Sequence, residues 1–152
     1  MERFMELYET VYKDLYRLAY YYLGNPQDAE DAVGEAVLKA YEKFDTLRRE
    51  EAFRAWIFTI LVNQCKSQLR GKSKRQSAEL KEEPSYIPEL SDSVVTQDLL
   101  SVLNAEERQI VALAVFGGYK GEEIARILNR RHSTIRTKYR RALKKLERQM
   151  EA

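Results

Sequence analysis

The chain has 152 residues, with six glycines, three prolines, one cysteine and one histidine; 33% of its residues are charged and 44% hydrophobic. That composition belongs to one ordinary soluble domain or two small ones. A lone Cys65 makes no intrachain disulfide, and one histidine without a cysteine cluster completes no structural zinc site, so a disulfide scaffold and a zinc finger are excluded. Net charge is only +2, but residues 126–148 hold ten Lys or Arg against the single acid Glu147, the footprint of a surface that neutralises phosphates or, in the plainer alternative, of a solvated basic helix face.

In chain order, apolar residues recur at Phe4, Tyr8, Val11, Leu15, Leu18 and Tyr22, the spacing of one helical face, and Gly24-Asn25-Pro26 ends that helix. A second helix is expected from Gln27 or Asp28. Its stripe is Ala29, Ala32, Val33, Ala36, Val37, Ala40, Tyr41 and Phe44, and its other face carries Asp31, Glu35, Lys39 and Glu42. A charged loop, 45–51, leads to a third helix with Phe53, Trp56, Ile57, Ile60, Leu61 and Gln64 on one side. On that helix Trp56, Thr59, Asn63, Lys66 and Arg70 share an arc of roughly 80°. This combination of amide, cations and aromatic ring suits a single strand, although Trp56 serves equally well as a core residue. Cys65 reads as a small packing group.

Between Gly71 and Asp98 the periodicity fails. Lys72-Ser73-Lys74-Arg75 gives way to Glu79, Glu82, Glu83, Glu89 and Asp92 with Pro84 and Pro88, a flexible linker composition. Helical signals return near Val94, and Asn104 with Glu107 three residues on forms a capping signature before Ile110, Val111, Leu113, Ala114 and Phe116. Gly117-Gly118 closes that helix. A short helix, 122–128, a turn on Asn129 and a longer helix beginning between Arg131 and Ser133 then make a helix-turn-helix, with the small Ala125 permitting close packing.

On the last helix, with Ile135 set at zero and roughly 100° per residue, Tyr139, Ala142, Leu143, Leu146 and Met150 fall within about −20° to 80°. Ser133, Thr137, Arg140, Arg141, Lys144 and Arg148 fall within about 140° to 240°. One face is core and the other is a row of hydrogen-bond donors. Arginine forks suit guanine edges, whereas Lys144 and Arg148, farther along, suit phosphates. His132, at the helix start, suits a phosphate contact or plain exposure. The fold class expected is all-α: an N-terminal helical bundle (1–71), an acidic, proline-bearing linker (72–93) and a C-terminal helix-turn-helix domain (94–152).

These segments together resemble the small bacterial sigma factors of the extracytoplasmic-function type. Leu23-Gly24-Asn25-Pro26-Gln27-Asp28-Ala29-Glu30-Asp31-Ala32-Val33-Gly34-Glu35-Ala36 is similar to the family's helix that docks on the polymerase clamp, with Gly34 where Gln is usual. The run from Phe53 to Asn63 is similar to the promoter-melting helix. Glu123-Ile124-Ala125, Thr134-Ile135-Arg136-Thr137 and 141–146 are similar to the minus-35 reader, with Lys120 and Arg131 where a Ser-type cap is usual. The resemblance implies minus-35 contacts from Ser133, Thr134, Arg136, Thr137, Lys138, Arg140, Arg141 and Lys144. It implies minus-10 contacts from Arg54, Trp56, Thr59, Asn63, Lys66, Arg70 and Leu47, which stands where an aromatic is common, with Asn63 taking a flipped base. Core polymerase would bind Asp28, Asp31, Glu35, Leu38, Lys39 and Glu42.

The partners implied are core RNA polymerase, promoter DNA and an anti-sigma factor, with the linker threading the enzyme's nucleic-acid channel. The chain contains no phosphate-cradling glycine loop or metal-ligand spacing, so no enzyme activity, small-molecule substrate or cofactor is expected. No apolar run approaches the roughly 18 to 20 residues of a membrane span, and Met1-Glu2-Arg3-Phe4-Met5-Glu6 lacks a secretory pattern, which makes the expected location cytoplasmic without membrane insertion. The alternative is a helix-turn-helix regulator that binds DNA without polymerase; it accounts for residues 99–152 but leaves the first domain unused.

Overall fold

The computed structural model describes residues 2–75 and 101–151, the backbone alone at 72–75. The rest of the expected linker and the helical signal at Val94 lie outside the described residues. Six α-helices lie wholly within the described residues: α1 (Glu2–Leu23), α2 (Pro26–Glu42), α3 (Phe53–Arg75), α4 (Ala105–Val111), α5 (Gly121–Leu128) and α6 (His132–Glu151), with no strand among them.

The first three form one bundle. Asn25 both follows α1 and begins α2: its extended backbone and its side-chain oxygen, accepting from the Asp28 N–H at 3.0 Å, cap a helix whose first position is Pro26. Proline has no N–H to orphan there and its φ is already helical. Helix α2 therefore starts one to two residues earlier than its acidic residues alone predict. The loop expected at 45–51 contains two short 3₁₀ turns, Phe44–Thr46 and Glu50–Ala52. Helix α3 continues through Gly71 to Arg75, past the point where apolar periodicity stops.

Core assignments hold in part. Phe4, Val11, Leu15, Leu18 and Tyr22 are buried as predicted, but so are Ala19, Tyr21 and Leu23. The reason is tertiary: α1 packs on α2 and α3 with one face and on the second domain with the other. On α2, Tyr41 is exposed, with its ring edge-on to Phe4 at 5.5 Å between centroids. On α3 the buried stripe is Phe53, Ile57, Phe58, Leu61, Val62 and Cys65, rotated from the predicted line so that Trp56, Ile60 and Gln64 lie at its half-buried edge.

In the second domain Asn104 and Glu107 complete a reciprocal capping box, each side chain accepting the other's backbone N–H at 2.9 Å. Helix α4 then widens into a π-helical turn, Ala112–Phe116, which ends on Gly117 and a left-handed Gly118 (φ 72°). A Cβ on Gly117 would stand 2.7 Å from the Tyr119 ring, so the missing side chain is what lets that ring fold back. Lys120 offers no cap acceptor, yet α5 starts directly after it, because Glu123 reaches back to accept the Lys120 N–H at 2.8 Å. Asn129 terminates α5 at φ 55° and ψ 53°, a left-handed conformation that asparagine tolerates. Leu143 and Met150, expected on the core arc of α6, are exposed, Met150 at 62%; the apolar residues of α6 that are fully buried are Ile135 and Ala142. No helix among the described residues is long and apolar enough to cross a membrane.

Candidate nucleic-acid interface

Helix α6 carries the basic face. Ser133, Arg136, Thr137, Arg140, Arg141 and Lys144 are exposed on it, and the Thr137 hydroxyl donates to the Ser133 carbonyl at 3.1 Å. Thr134 and Lys138 are half-buried. Lys138 differs from its neighbours because its ammonium is bound to Glu106 of α4, as is Arg130 at 2.7 Å, while Lys145 holds Glu107 at 2.8 Å. Lys138 and Glu106 therefore brace α6 against α4. Their contact holds the Glu106 carboxyl below its ordinary range, and Arg130 adds to this against the opposing cost of burial. For Glu107 burial alone would raise the carboxyl, but the Lys145 ammonium and the Asn104 N–H outweigh it and leave the group lowered.

Helix α3 presents a second polar face. Arg54, Thr59, Asn63 and Arg70 are exposed and Lys66 is half-buried. Arg54 lies with its guanidinium 4.5 Å over the Phe58 ring and donates both to Asp14, at 3.2 Å, and to the Phe116 carbonyl of the second domain, at 3.1 Å. Thr59, Asn63 and Lys66 line a cleft of about 210 Å³ whose opposite wall is Tyr119, Glu123, Arg126 and Ile127. The Thr59 hydroxyl itself donates to the Ala55 carbonyl at 2.9 Å. Trp56 stands apart, packed between Phe44 and Phe53 in an aromatic cluster that includes Phe4, and Leu47 ends the first 3₁₀ turn half-buried against the core. The structure thus brings together Thr59, Asn63 and Lys66 in the cleft, but not Arg54, which is held by Asp14 and Phe116, nor Trp56 and Leu47.

Helix α2 contributes a third surface. Asp31, Glu35, Leu38 and Glu42 follow one another on its exposed side, with Leu38 at 58% exposure, while Lys39 is exposed and donates to Gln64 of α3 at 2.7 Å. Asp28, in the first turn, is half-buried. Burial, followed by the neighbouring carboxylates Asp28, Glu30 and Glu35, pushes the Asp31 carboxyl above its usual value.

The comparisons with known proteins bear on both halves. Residues 7–75 match sigma-70 region 2 and residues 94–146 match sigma-70 region 4. The RNA polymerase sigma factor SigV of Bacillus subtilis is 33% identical, over 87% of this chain and 81% of its own length. The chain belongs to the sigma-70 family. Within that family it is an extracytoplasmic-function sigma factor: SigM of Mycobacterium tuberculosis, named as such, is 27% identical over 95% of this chain and 76% of its own. The sigma factor RpoE of Bartonella quintana, solved in complex with the anti-sigma factor NepR, superposes with a TM-score of 0.71 at 25% identity, covering 100% of this chain and 99% of that one. This sigma factor works with core RNA polymerase as a promoter-specific initiation factor. A regulator independent of polymerase would leave the region 2 match unexplained.

Sequence reasoning missed the cleft's far wall. Tyr119, Glu123 and Arg126 are more than fifty residues from Thr59, Asn63 and Lys66 in the chain, and no local periodicity registers that they face these residues. Arg108 was missed for the same reason. It donates to the Leu103 carbonyl at 3.3 Å, and its Nη2 lies 2.9 Å from where a Cβ on Gly24 would stand, so the left-handed glycine at the end of α1 is what admits it.

Proposed function

We propose that the two helical faces divide promoter reading between them. Helix α6 reads the minus-35 element in duplex form: Ser133, Arg136, Thr137, Arg140 and Arg141 reach base edges and the nearest phosphates, and Lys144 holds the backbone. Helix α3 reads the minus-10 element as a single strand: Asn63 offers an amide to an unstacked base, Thr59 a hydroxyl, and Arg54, Lys66 and Arg70 hold phosphates. Trp56 and Leu47 support this helix through the core. The acidic stripe Asp31, Glu35 and Glu42, with Leu38 at its centre, binds core polymerase, joined by Asp28 and Lys39. The observation that carries this reading is the exposed, unbroken row of donors on α6 directly following the Asn129 turn. The first domain runs to Arg75, where α3 ends, and the second is 94–152, joined by the acidic segment 76–93.

An anti-sigma protein is the regulatory partner, supported by the likeness to a sigma factor solved with one. The chain is not an enzyme and acts in the cytoplasm, where its polymerase is. In vitro transcription with purified core polymerase on fragmented genomic DNA, followed by sequencing of the start sites, tests the whole reading. Start sites sharing two elements at fixed spacing support it. Specific duplex binding with no polymerase-dependent starts sinks it.

A further inference from the structure

The ion pairs that brace α6 on α4 also take charge out of the reader. Residues 126–148 hold ten cations, and three of them end on carboxylates of α4. The Arg130 Nε donates to Glu106 Oε2 at 2.7 Å, the Lys138 ammonium to the other Glu106 oxygen, and Lys145 to Glu107 at 2.8 Å. Arg130 stands between the Asn129 turn and α6, and Lys138 follows Thr137, roughly 60° beyond the edge of the donor arc. Both therefore flank the recognition face, with 56% of the Arg130 side chain and 35% of the Lys138 side chain exposed. The Glu106 side chain is only 21% exposed, so moving either cation to a phosphate would strip a half-buried carboxylate of a partner. The Lys138 contact, joined by Arg130 against the cost of burial, keeps that carboxyl below its ordinary range and charged at neutral pH.

We infer that Glu106 is a specificity-determining residue that acts without touching DNA: it holds Arg130 and Lys138 off the phosphates and confines the attraction of α6 for DNA to the arc that also reads bases. Binding to DNA without a promoter draws almost wholly on phosphates neutralised by Lys and Arg, whereas base contacts favour the correct site alone. Base reading fixes the angle at which α6 lies in the groove. Cations outside the arc reach phosphates only when the helix rolls away from that angle, so free flanking cations favour complexes that do not read. A promoter competes with a large excess of such sites. One carboxylate on α4 removes this contribution and leaves Arg136, Arg140 and Arg141 in place.

This inference rests on the assignment of α6 as the duplex reader, and the experiment separates the two. Full-length wild type, Glu106→Gln, Arg130→Gln, Arg136→Gln and the triple variant Glu106→Gln, Arg130→Gln, Lys138→Gln would be checked for helicity by circular dichroism. Each would then be titrated against a labelled duplex lacking promoter elements, by fluorescence anisotropy from low to physiological salt. The slope of log affinity against log salt counts engaged phosphates at about 0.9 each. Glu106→Gln keeps the side chain's shape and drops its charge; it should steepen the slope by about one to two, and the triple variant should return it to the wild-type value. Arg130→Gln alone should leave the slope unchanged, because Lys138 keeps Glu106 paired. In the holoenzyme, Glu106→Gln should lower several-fold the ratio of affinities for a promoter fragment with its minus-35 element intact and scrambled. An unchanged or shallower slope in Glu106→Gln, with Arg136→Gln still flattening it by about 0.9, overturns the inference and leaves the reader assignment standing. A steeper slope that persists in the triple variant, or that leaves the holoenzyme ratio unchanged, also overturns it. If Arg136→Gln flattens nothing, α6 is not the duplex reader and both fail. Should Glu106→Gln lose its helicity, Arg130→Gln decides: a flatter slope shows that Arg130 already engages phosphate and overturns the inference, and an unchanged slope upholds it.

Discussion

Lys138 and Arg141 stand three positions apart on α6, and the structure gives them different work. Lys138 is spent on Glu106, whereas Arg141, with Arg140, is exposed beside the Thr137 hydroxyl. Arg140→Ala or Arg141→Ala should alter preference at particular minus-35 bases by roughly 1 to 3 kcal/mol, because a bidentate fork discriminates between bases. Lys144→Ala should weaken all promoters alike and flatten the salt dependence, and Lys138→Ala should act chiefly by loosening α6 on α4. Competition binding by the holoenzyme across a library of minus-35 variants, at two salt concentrations, checks this. Equal, base-independent losses from Arg140, Arg141 and Lys144 would show that the face touches only phosphate. The sequence wheel placed these groups on one face correctly, but a wheel knows nothing of α4 and could not see that Glu106 claims Lys138. Cys65 shows the reverse: small and apolar by sequence, it is fully buried, with its thiol pushed up to about 12 by that burial, which makes it a packing group with little thiolate to react.

Helices were legible wherever one face alone is buried. The capping box at Asn104, the left-handed Asn129 and the stripe of α1 are local signals, and local signals survive folding. The misread elements are those whose surroundings come from far away: the second buried side of α1, the rotated stripe of α3, and the π-helical turn, which looks like continuing helix until Tyr119 folds back over Gly117. Helix α2 offers a clean test of propensity. Gly34 sits in its middle, exposed, and a Cβ there would meet nothing within 4 Å. Gly34→Ala should therefore stabilise the first domain by up to about 1 kcal/mol, raising the thermal midpoint by a few degrees in calorimetry. No rise would mean that the position is strained in a way its open surroundings do not reveal. Helix α4 offers a test of electrostatics. The Glu106 and Glu107 carboxyls lie below their ordinary 4.5, so the unfolded chain binds more protons as acidity rises. Their contribution is present above about pH 4.5 and is lost as pH falls through the lowered values. Unfolding by denaturant between pH 3 and 7 should show this loss, and Glu107→Gln should shrink it while costing stability at neutral pH. An identical pH profile in that variant would detach the carboxylate from the effect.

The two domains are each too small a reader to act alone. Helix α6 offers about half a dozen exposed polar contacts, and the first domain, with ten basic against twelve acidic groups through residue 70, adds little attraction for duplex phosphates. Affinity for duplex DNA grows with the number of phosphates neutralised, and specific affinity further requires that several base contacts be made at once. The free chain should therefore bind duplex promoter only weakly at physiological salt, whereas the polymerase complex should bind the same fragment tightly and with sequence preference. Titration of a mapped promoter duplex with each, by anisotropy over a range of salt, decides the matter. Nanomolar, sequence-specific binding by the free chain would mean that region 4 alone carries promoter choice, and polymerase would then be cargo rather than the scaffold that sets the two readers at their spacing.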